Sequence, residues 1–278
     1  AGLTWLHTGP HIWLLAGTLP FVLLSRRWWS AVAAIAIVAC GWFSVDGATF
    51  SPYNRIDLGA LPVGQYFDYY LSVNRDYHQR VRDLSPAALV DSTLTADERA
   101  DRAGCKLAYD IPFIVGGPRE RALVVGAGTG NDVQAALRND YAAVTSVDID
   151  GSIIRIGREV HPEHPYDDPR AHVVVDDARS YLERYAGPPF DVVCYGLLDS
   201  HAMFSAMSTL RLDNYVYTVE GLRAAWRHVS PTGHLSLSFS VFAGSWIADR
   251  IYWTLVEATG ERPIVINHGL DWGYTFLV

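Results

Sequence analysis

From Arg121 to the C-terminus the chain alternates between short apolar runs and helix-like segments, and this rhythm restricts the fold more than any other feature. "ALVVGAG" reads as a buried strand, "NDVQAALRN" as a helix, "AVTSVDID" as a strand and "SIIRIGREV" as a helix. "AHVVVDDAR", "FDVVCYGLLD" and "HLSLSFS" begin three further units, and "PIVINHG" with "WGYTFLV" reads as a closing hairpin. Apolar strands that alternate with helices predict a parallel sheet covered on both faces, an α/β Rossmann-like architecture.

The first of these strands runs into Gly126, Gly128 and Gly130, and a helix-like stretch follows. Glycines at such a turn permit left-handed backbone and let a ligand approach closely. In open α/β sheets ligands sit at the carboxyl ends of the strands. Asp148, 18 residues after Gly130, ends the second strand, where a carboxylate can accept from both ribose hydroxyls. Asp177 follows the third, where a carboxylate can accept from an adenine amino group, and Asp150 and Asp176 read as solvated turn acids.

The loop lacks an intact GxGxxG at the helix start and any GxxxxGK[ST], and Asp132 would repel a pyrophosphate at a helix N-terminus. An adenosyl group carried without phosphates fits best: S-adenosylmethionine or a relative. The formal charge of −8, from 30 acidic and 22 basic residues, excludes an extended nucleic-acid surface. Cys40, Cys105 and Cys194 show no CxxC spacing and the histidines no HExxH pair, so no metal site is read.

The first 45 residues differ in kind. Leu3–Ser25 and Trp28–Val45 contain no Asp, Glu, Lys or Arg, and a membrane-spanning helix needs roughly 20 apolar residues. Trp5, Trp13, Trp28, Trp29 and Trp42 lie mostly towards the segment ends, as an interfacial belt would. These features predict an integral membrane anchor at 1–46, with lipid as a partner; a helical hairpin packed in protein is the competing reading. Arg26-Arg27 would place the short connection in the cytoplasm, whereas a cofactor made inside the cell favours a cytoplasmic globular domain, which is the side expected here. Residues 47–85 read as a small β unit, and 86–278 as the nucleoside-binding domain. Within the latter, "TADE" (Thr95–Glu98) predicts a capping box on a helix that ends near Tyr109, before Pro112.

Taken in order, the motifs from Ser51 onwards resemble the spermidine synthase family, the aminopropyltransferase branch of the class I methyltransferase fold, in a membrane-anchored bacterial form. "SPYN" (Ser51–Asn54) is similar to the family's "SPYQ", and "DYHQ" (Asp76–Gln79) to its "YHE". "VVGAGTGNDV", "VDID" and "VDDAR" are similar to its glycine loop, ribose acid and adenine acid, and "LLDSHA" (Leu197–Ala202) to its "DSSDP" catalytic loop. The resemblance implies that Asp148 holds the ribose, Asp177 the adenine, and Asp199 takes a proton from the attacking amine. Asn54 would sit on the cofactor side, and Tyr77, His78, Gln79 and His201 on the substrate side. The co-substrate would be S-adenosylmethionine or its decarboxylated form; the sulfonium is itself an electrophile, so no metal is implied.

Three positions depart from the pattern. The family's second loop acid falls at Ala202, the acid after "YH" is Gln79, and the glutamine of "SPYQ" is Asn54. A pocket for ammonium groups needs carboxylates to offset desolvation, so the loss bears on which amine is accepted. His201 and Asp213 are candidate replacements. The leading expectation is an aminopropyltransferase acting on a small amine. A non-catalytic synthase-like subunit of a membrane complex is the second reading and an S-adenosylmethionine-dependent methyltransferase the third.

Overall fold

The computed structural model describes residues 6, 8–45, 47–64, 66–197, 216–239, 246–268 and 273–278. In chain order the elements begin with helices α1 (Pro10–Ser25) and α2 (Trp28–Phe43) and strands β1 (Thr49–Phe50), β2 (Arg55–Val63), β3 (Tyr66–Val73) and β4 (Asp76–Val81). Helices α3 (Pro86–Leu89) and α4 (Ala96–Ile114) follow. The alternating part comprises β5 (Arg121–Val125), α5 (Asn131–Arg138), β6 (Ala143–Asp148), α6 (Gly151–Val160), β7 (Ala171–Val175), α7 (Ala178–Arg184) and β8 (Phe190–Tyr195). It closes with α8 (Val219–Trp226), β9 (Val229–Phe239), α9 (Trp246–Thr259), β10 (Ile264–Asn267) and β11 (Tyr274–Leu277). Strands β1–β4 form one sheet in chain order; the other has seven strands in the order β10-β11-β9-β8-β5-β6-β7. The chain divides into two compact units, Ala1–Gly59 with Leu71–Arg75, and Ala60–Tyr70 with Asp76–Val278.

In the first unit, α1 and α2 form a hairpin. The left-handed backbone of Arg26 (φ 50°) ends α1, and Arg27 in extended backbone caps α2. At Gly41 a Cβ would lie 2.6 Å from Leu14 Cδ1 and 3.2 Å from His11 Cα, so the absent side chain permits close helix packing. The expectation of a membrane anchor, with lipid as a partner and the domain held at the cytoplasmic face, is corrected here. Among the described residues no helix is long and apolar enough to cross a membrane. Each helix has 16 residues, and at 1.5 Å per residue about 24 Å falls short of a hydrocarbon core of roughly 30 Å. Pro10 begins α1 at its first turn, where a missing N–H costs nothing, and Pro20 lies within it.

In the second unit the predicted alternation is found. Strands β5, β6, β7, β8 and β9 run parallel, and β11 pairs antiparallel with β9 and with β10 as the closing hairpin. Side chains of a strand alternate between faces, and both faces of this sheet are covered. Leu123, Val125, Val193, Tyr195, Leu235 and Leu237 enter one core with Leu222 and Leu255. Ala122, Val124, Val144, Val192 and Cys194 enter the other with Val133, Leu137 and Phe113. This two-sided burial explains why β5 and β8 read as unbroken apolar runs.

The Thr95–Glu98 capping box forms as expected: Thr95 Oγ1 accepts from Glu98 N, and Glu98 Oε2 accepts from Thr95 N at 2.7 Å. The helix it starts does not stop near Tyr109 but continues through Pro112 to Ile114. Burial of Ile111, Pro112 and Phe113 holds that last turn, and His234 Nε2 lies 2.7 Å from the Pro112 carbonyl. Packing outweighs the lost helical hydrogen bond.

Candidate functional site

The strand order places the topological switch between β5 and β8, since the chain moves from β5 to β6 and β7 on one side and then returns to β8 on the other. The glycine loop leaves β5 at that point. Gly126, Gly128 and Gly130 all have left-handed backbone, with φ of 69°, 55° and 106°. The N–H groups of Gly126 and Ala127 donate to the Val147 carbonyl at 2.8 and 3.1 Å, which bends the loop over the end of β6.

Asp148 fixes the loop from below. Its Oδ2 accepts from Gly128 N at 2.8 Å and its Oδ1 from Asp150 N at 2.8 Å. Burial pushes its carboxyl up to about 6, while the two backbone N–H groups pull the other way. Each oxygen keeps a lone pair for a hydroxyl donor. Asp150, expected as a solvated turn acid, is buried and caps α6 through Ser152 N. Asp177 caps α7, its Oδ1 accepting from Ser180 N at 2.8 Å. The neighbouring Asp176 pairs with Arg184.

Three contacts around the loop come from distant parts of the sequence. Gln79 Oε1 accepts from Thr129 N at 3.0 Å. Tyr166 donates its hydroxyl to the Gly128 carbonyl at 2.7 Å, and its ring with Pro165 fills the space beside Gly130. Gly157 of α6 passes so close that a Cβ there would lie 2.5 Å from the Thr129 carbonyl oxygen. Asn131 joins α5 to β4 and α4 by donating to the Arg80 carbonyl at 2.8 Å and to Tyr109 Oη at 2.9 Å. None of Tyr166, Gly157 and Asn131 carries a signal that names this role.

Of the expected substrate-side residues, Tyr77, His78 and Gln79 lie on β4, with Tyr77 exposed and the other two half-buried. Gln79 reaches the glycine loop. Asn54 lies in the first unit, where its Oδ1 accepts from Asn74 Nδ2 at 3.0 Å. Asp199, His201, Ala202 and Asp213 lie outside the described residues. Beside the loop Asp132 is buried, and burial pushes its carboxyl up to about 7. No His, Cys, Asp and Glu group suited to a metal ion occurs among the described residues.

Comparison with known proteins places this arrangement. The family model of the spermine/spermidine synthase domain matches residues 109–216, the stretch that carries the glycine loop and β5 to β8. This segment is similar to the spermidine synthase family. Among curated relatives, polyamine aminopropyltransferase 1 of Hyperthermus butylicus is 31% identical over 155 residues, covering 48% of this chain and 53% of that protein. The polyamine aminopropyltransferase of Pectobacterium atrosepticum is 28% identical over 141 residues, covering 47% and 49%. The chain thus spans about half the length of the curated relatives it matches. Two spermidine synthase structures share the fold at 15% identity. One, in complex with the transition-state analogue AdoDATO, gives a TM-score of 0.63 over 83% of this chain and 72% of that one. The other, from Thermotoga maritima, gives 0.61 over 83% and 71%.

Proposed function

We propose that the protein is an aminopropyltransferase that moves an aminopropyl group from decarboxylated S-adenosylmethionine to an amine. One observation carries the reading: a loop of three left-handed glycines is held by Asp148 at the switch point between β5 and β8, inside the stretch that matches the synthase domain. The bent loop leaves backbone beside the ligand position, and Asp148 keeps acceptor capacity for ribose hydroxyls. Asp177, at the end of the next strand, is the candidate for the adenine amino group.

In the reaction the amine nitrogen's lone pair forms a bond to the aminopropyl carbon attached to sulfur. The carbon–sulfur bond breaks, its electron pair stays on sulfur, and neutral 5′-methylthioadenosine leaves. An ammonium has no lone pair, so a base must hold the proton that the amine loses; Asp199 is assigned that role. The reading as a structural subunit of a membrane complex rested partly on the tryptophan-rich N-terminal segments, and loses that support because no described helix is long and apolar enough to span.

The test is isotope transfer. Purified protein receives labelled decarboxylated S-adenosylmethionine, or methyl-labelled S-adenosylmethionine, with a mixture of amines. Aminopropyl label in an amine, with 5′-methylthioadenosine formed in equal amount, is the expected result. Methyl transfer instead would establish the methyltransferase reading.

A further inference from the structure

The two positions where the resemblance implies amine-side carboxylates hold Gln79 and Ala202, and a different carboxylate, Asp132, is buried beside the glycine loop. Asp132 lies in the first turn of α5, and only 6% of it is exposed. It faces a cavity at the carboxyl ends of β5 and β8, lined also by Ala108, Tyr109, Leu197, Ser238 and His268. A second feature shows that space is kept for it. A Cβ on Gly196, directly after β8, would fall inside van der Waals contact with both carboxylate oxygens.

Among the described residues, the groups facing this carboxylate bring no positive charge to it. Cys194 Sγ is 3.9 Å from Asp132 Oδ1, a weak contact, and burial keeps that thiol protonated. Burial also keeps the hydroxyls of Tyr109 and Tyr166 protonated. His268 has its pKa lowered by burial, and its Nε2 is 2.6 Å from Thr275 Oγ1, which also pairs with Ser238 Oγ at 2.8 Å. No salt bridge to Asp132 occurs among the described residues. A buried carboxylate without a cation is costly, and a desolvated ammonium is costly without a carboxylate. Pairing the two offsets part of each penalty.

We propose that Asp132 is the anionic anchor for an alkylammonium group in this cavity, whether that of the acceptor amine or that of the donor's aminopropyl tail. The inference rests on the aminopropyltransferase reading and names the substrate contact that reading leaves open. Asp132 binds and orients; the proton that leaves the amine goes elsewhere, to Asp199 in the scheme above.

Calorimetry on the full chain at pH 8 tests it with three probes: 5′-methylthioadenosine, which has no ammonium; decarboxylated S-adenosylmethionine; and 1,4-diaminobutane added to protein saturated with 5′-methylthioadenosine. Asp132→Asn keeps the volume and removes the charge. It is expected to bind 5′-methylthioadenosine as the unmodified protein does, and to bind one ammonium probe at least tenfold more weakly. Loss confined to the diamine assigns the acceptor, and loss confined to the donor assigns the aminopropyl tail. Unchanged affinity for both overturns the proposal. A second measurement needs no variant: at pH 6.5 the unmodified protein should release protons when the ammonium group binds, read from two buffers of different ionisation enthalpy. Absence of release would also overturn it. Failure of 5′-methylthioadenosine to bind at all would instead count against the aminopropyltransferase reading.

Discussion

The side-chain oxygen of Gln79 accepts the backbone N–H of Thr129 at 3.0 Å, across 50 residues of sequence. The contact ties β4 to the glycine loop and occupies a residue expected to face the amine. A glutamate in its place would accept the same bond, so the glutamine retains the structural role while leaving the site one charge poorer. Removing the acceptor leaves Thr129 N–H without it. Gln79→Ala should therefore destabilise the fold by about 1–2 kcal/mol and weaken 5′-methylthioadenosine binding, whereas Gln79→Glu should keep both close to unmodified. Chemical unfolding and calorimetry on the two variants check this; equal loss in both would remove the hydrogen bond as the cause.

Gly128 offers a two-part test of the same contact. Its φ of 55° strains any L side chain, and a Cβ would lie 2.6 Å from Gln79 Oε1, the far end of a flexible side chain. Gly128→Ala should cost about 1–3 kcal/mol. Combined with Gln79→Ala it should cost less than the sum of the single variants, because the steric part disappears and the backbone part stays. Strict additivity in a double-mutant cycle would show that the two residues do not press on one another.

Asp148→Asn replaces an acceptor by a donor at one of two places where a backbone N–H points in. One of the N–H groups of Gly128 and Asp150 then meets an amide N–H. We expect 5′-methylthioadenosine affinity to fall at least tenfold, with a stability loss of roughly 1–3 kcal/mol. Full retention of binding, measured by calorimetry, would take Asp148 out of the nucleoside site.

The buried ion cluster that joins β3 and β4 to α4 makes a separate prediction. Asp68 is 2% exposed and meets Arg102 at 2.7 Å, Arg80 at 3.1 Å and Arg82 at 3.4 Å. Asp68→Asn leaves buried guanidinium charge without its carboxylate. The expected cost is about 3–5 kcal/mol, read as an earlier midpoint in urea. A change below 1 kcal/mol would mean that solvent or another group compensates.

His161 sets a pH signature. Burial pushes its pKa down from 6.5 to about 3, with smaller effects of His164 and Arg138 in the same direction. The unfolded chain therefore binds a proton that the folded chain does not. The stability it contributes is fully present above about pH 6.5 and is lost as pH falls towards 3, by up to roughly 1.4 kcal/mol per pH unit. Asp132 and Asp148, raised by burial, act with the opposite sign, so the comparison must isolate the histidine. The difference in unfolding free energy between the unmodified protein and His161→Asn should change steadily between pH 6.5 and 4. A constant difference would show that His161 titrates normally.

Much of this protein was legible without coordinates because the deciding signals are local. The alternation after Arg121 reports burial residue by residue, since a strand covered on both faces needs apolar side chains at every position. Thr95 and Glu98 are three apart, within one helical turn, so their capping box forms from adjacent chemistry. The glycine loop and Asp148 are joined through neighbouring parallel strands, which the strand pattern already implies. Tertiary structure decided what depends on packing between distant segments. The described helices, Pro10–Ser25 and Trp28–Phe43, are shorter than the apolar segments Leu3–Ser25 and Trp28–Val45, because Pro10 opens the first and the second closes at Ser44, boundaries that hydropathy does not record. Pro112 stays helical because Ile111 and Phe113 are buried around it. Asp132 was read only as a charge that would repel a pyrophosphate, and it is the packing of β8 beside β5, with Gly196 leaving room, that makes it a buried carboxylate. A sequence specifies which residues can be buried; the three-dimensional closure of the sheet determines which polar groups lose their water, and those groups set the chemistry.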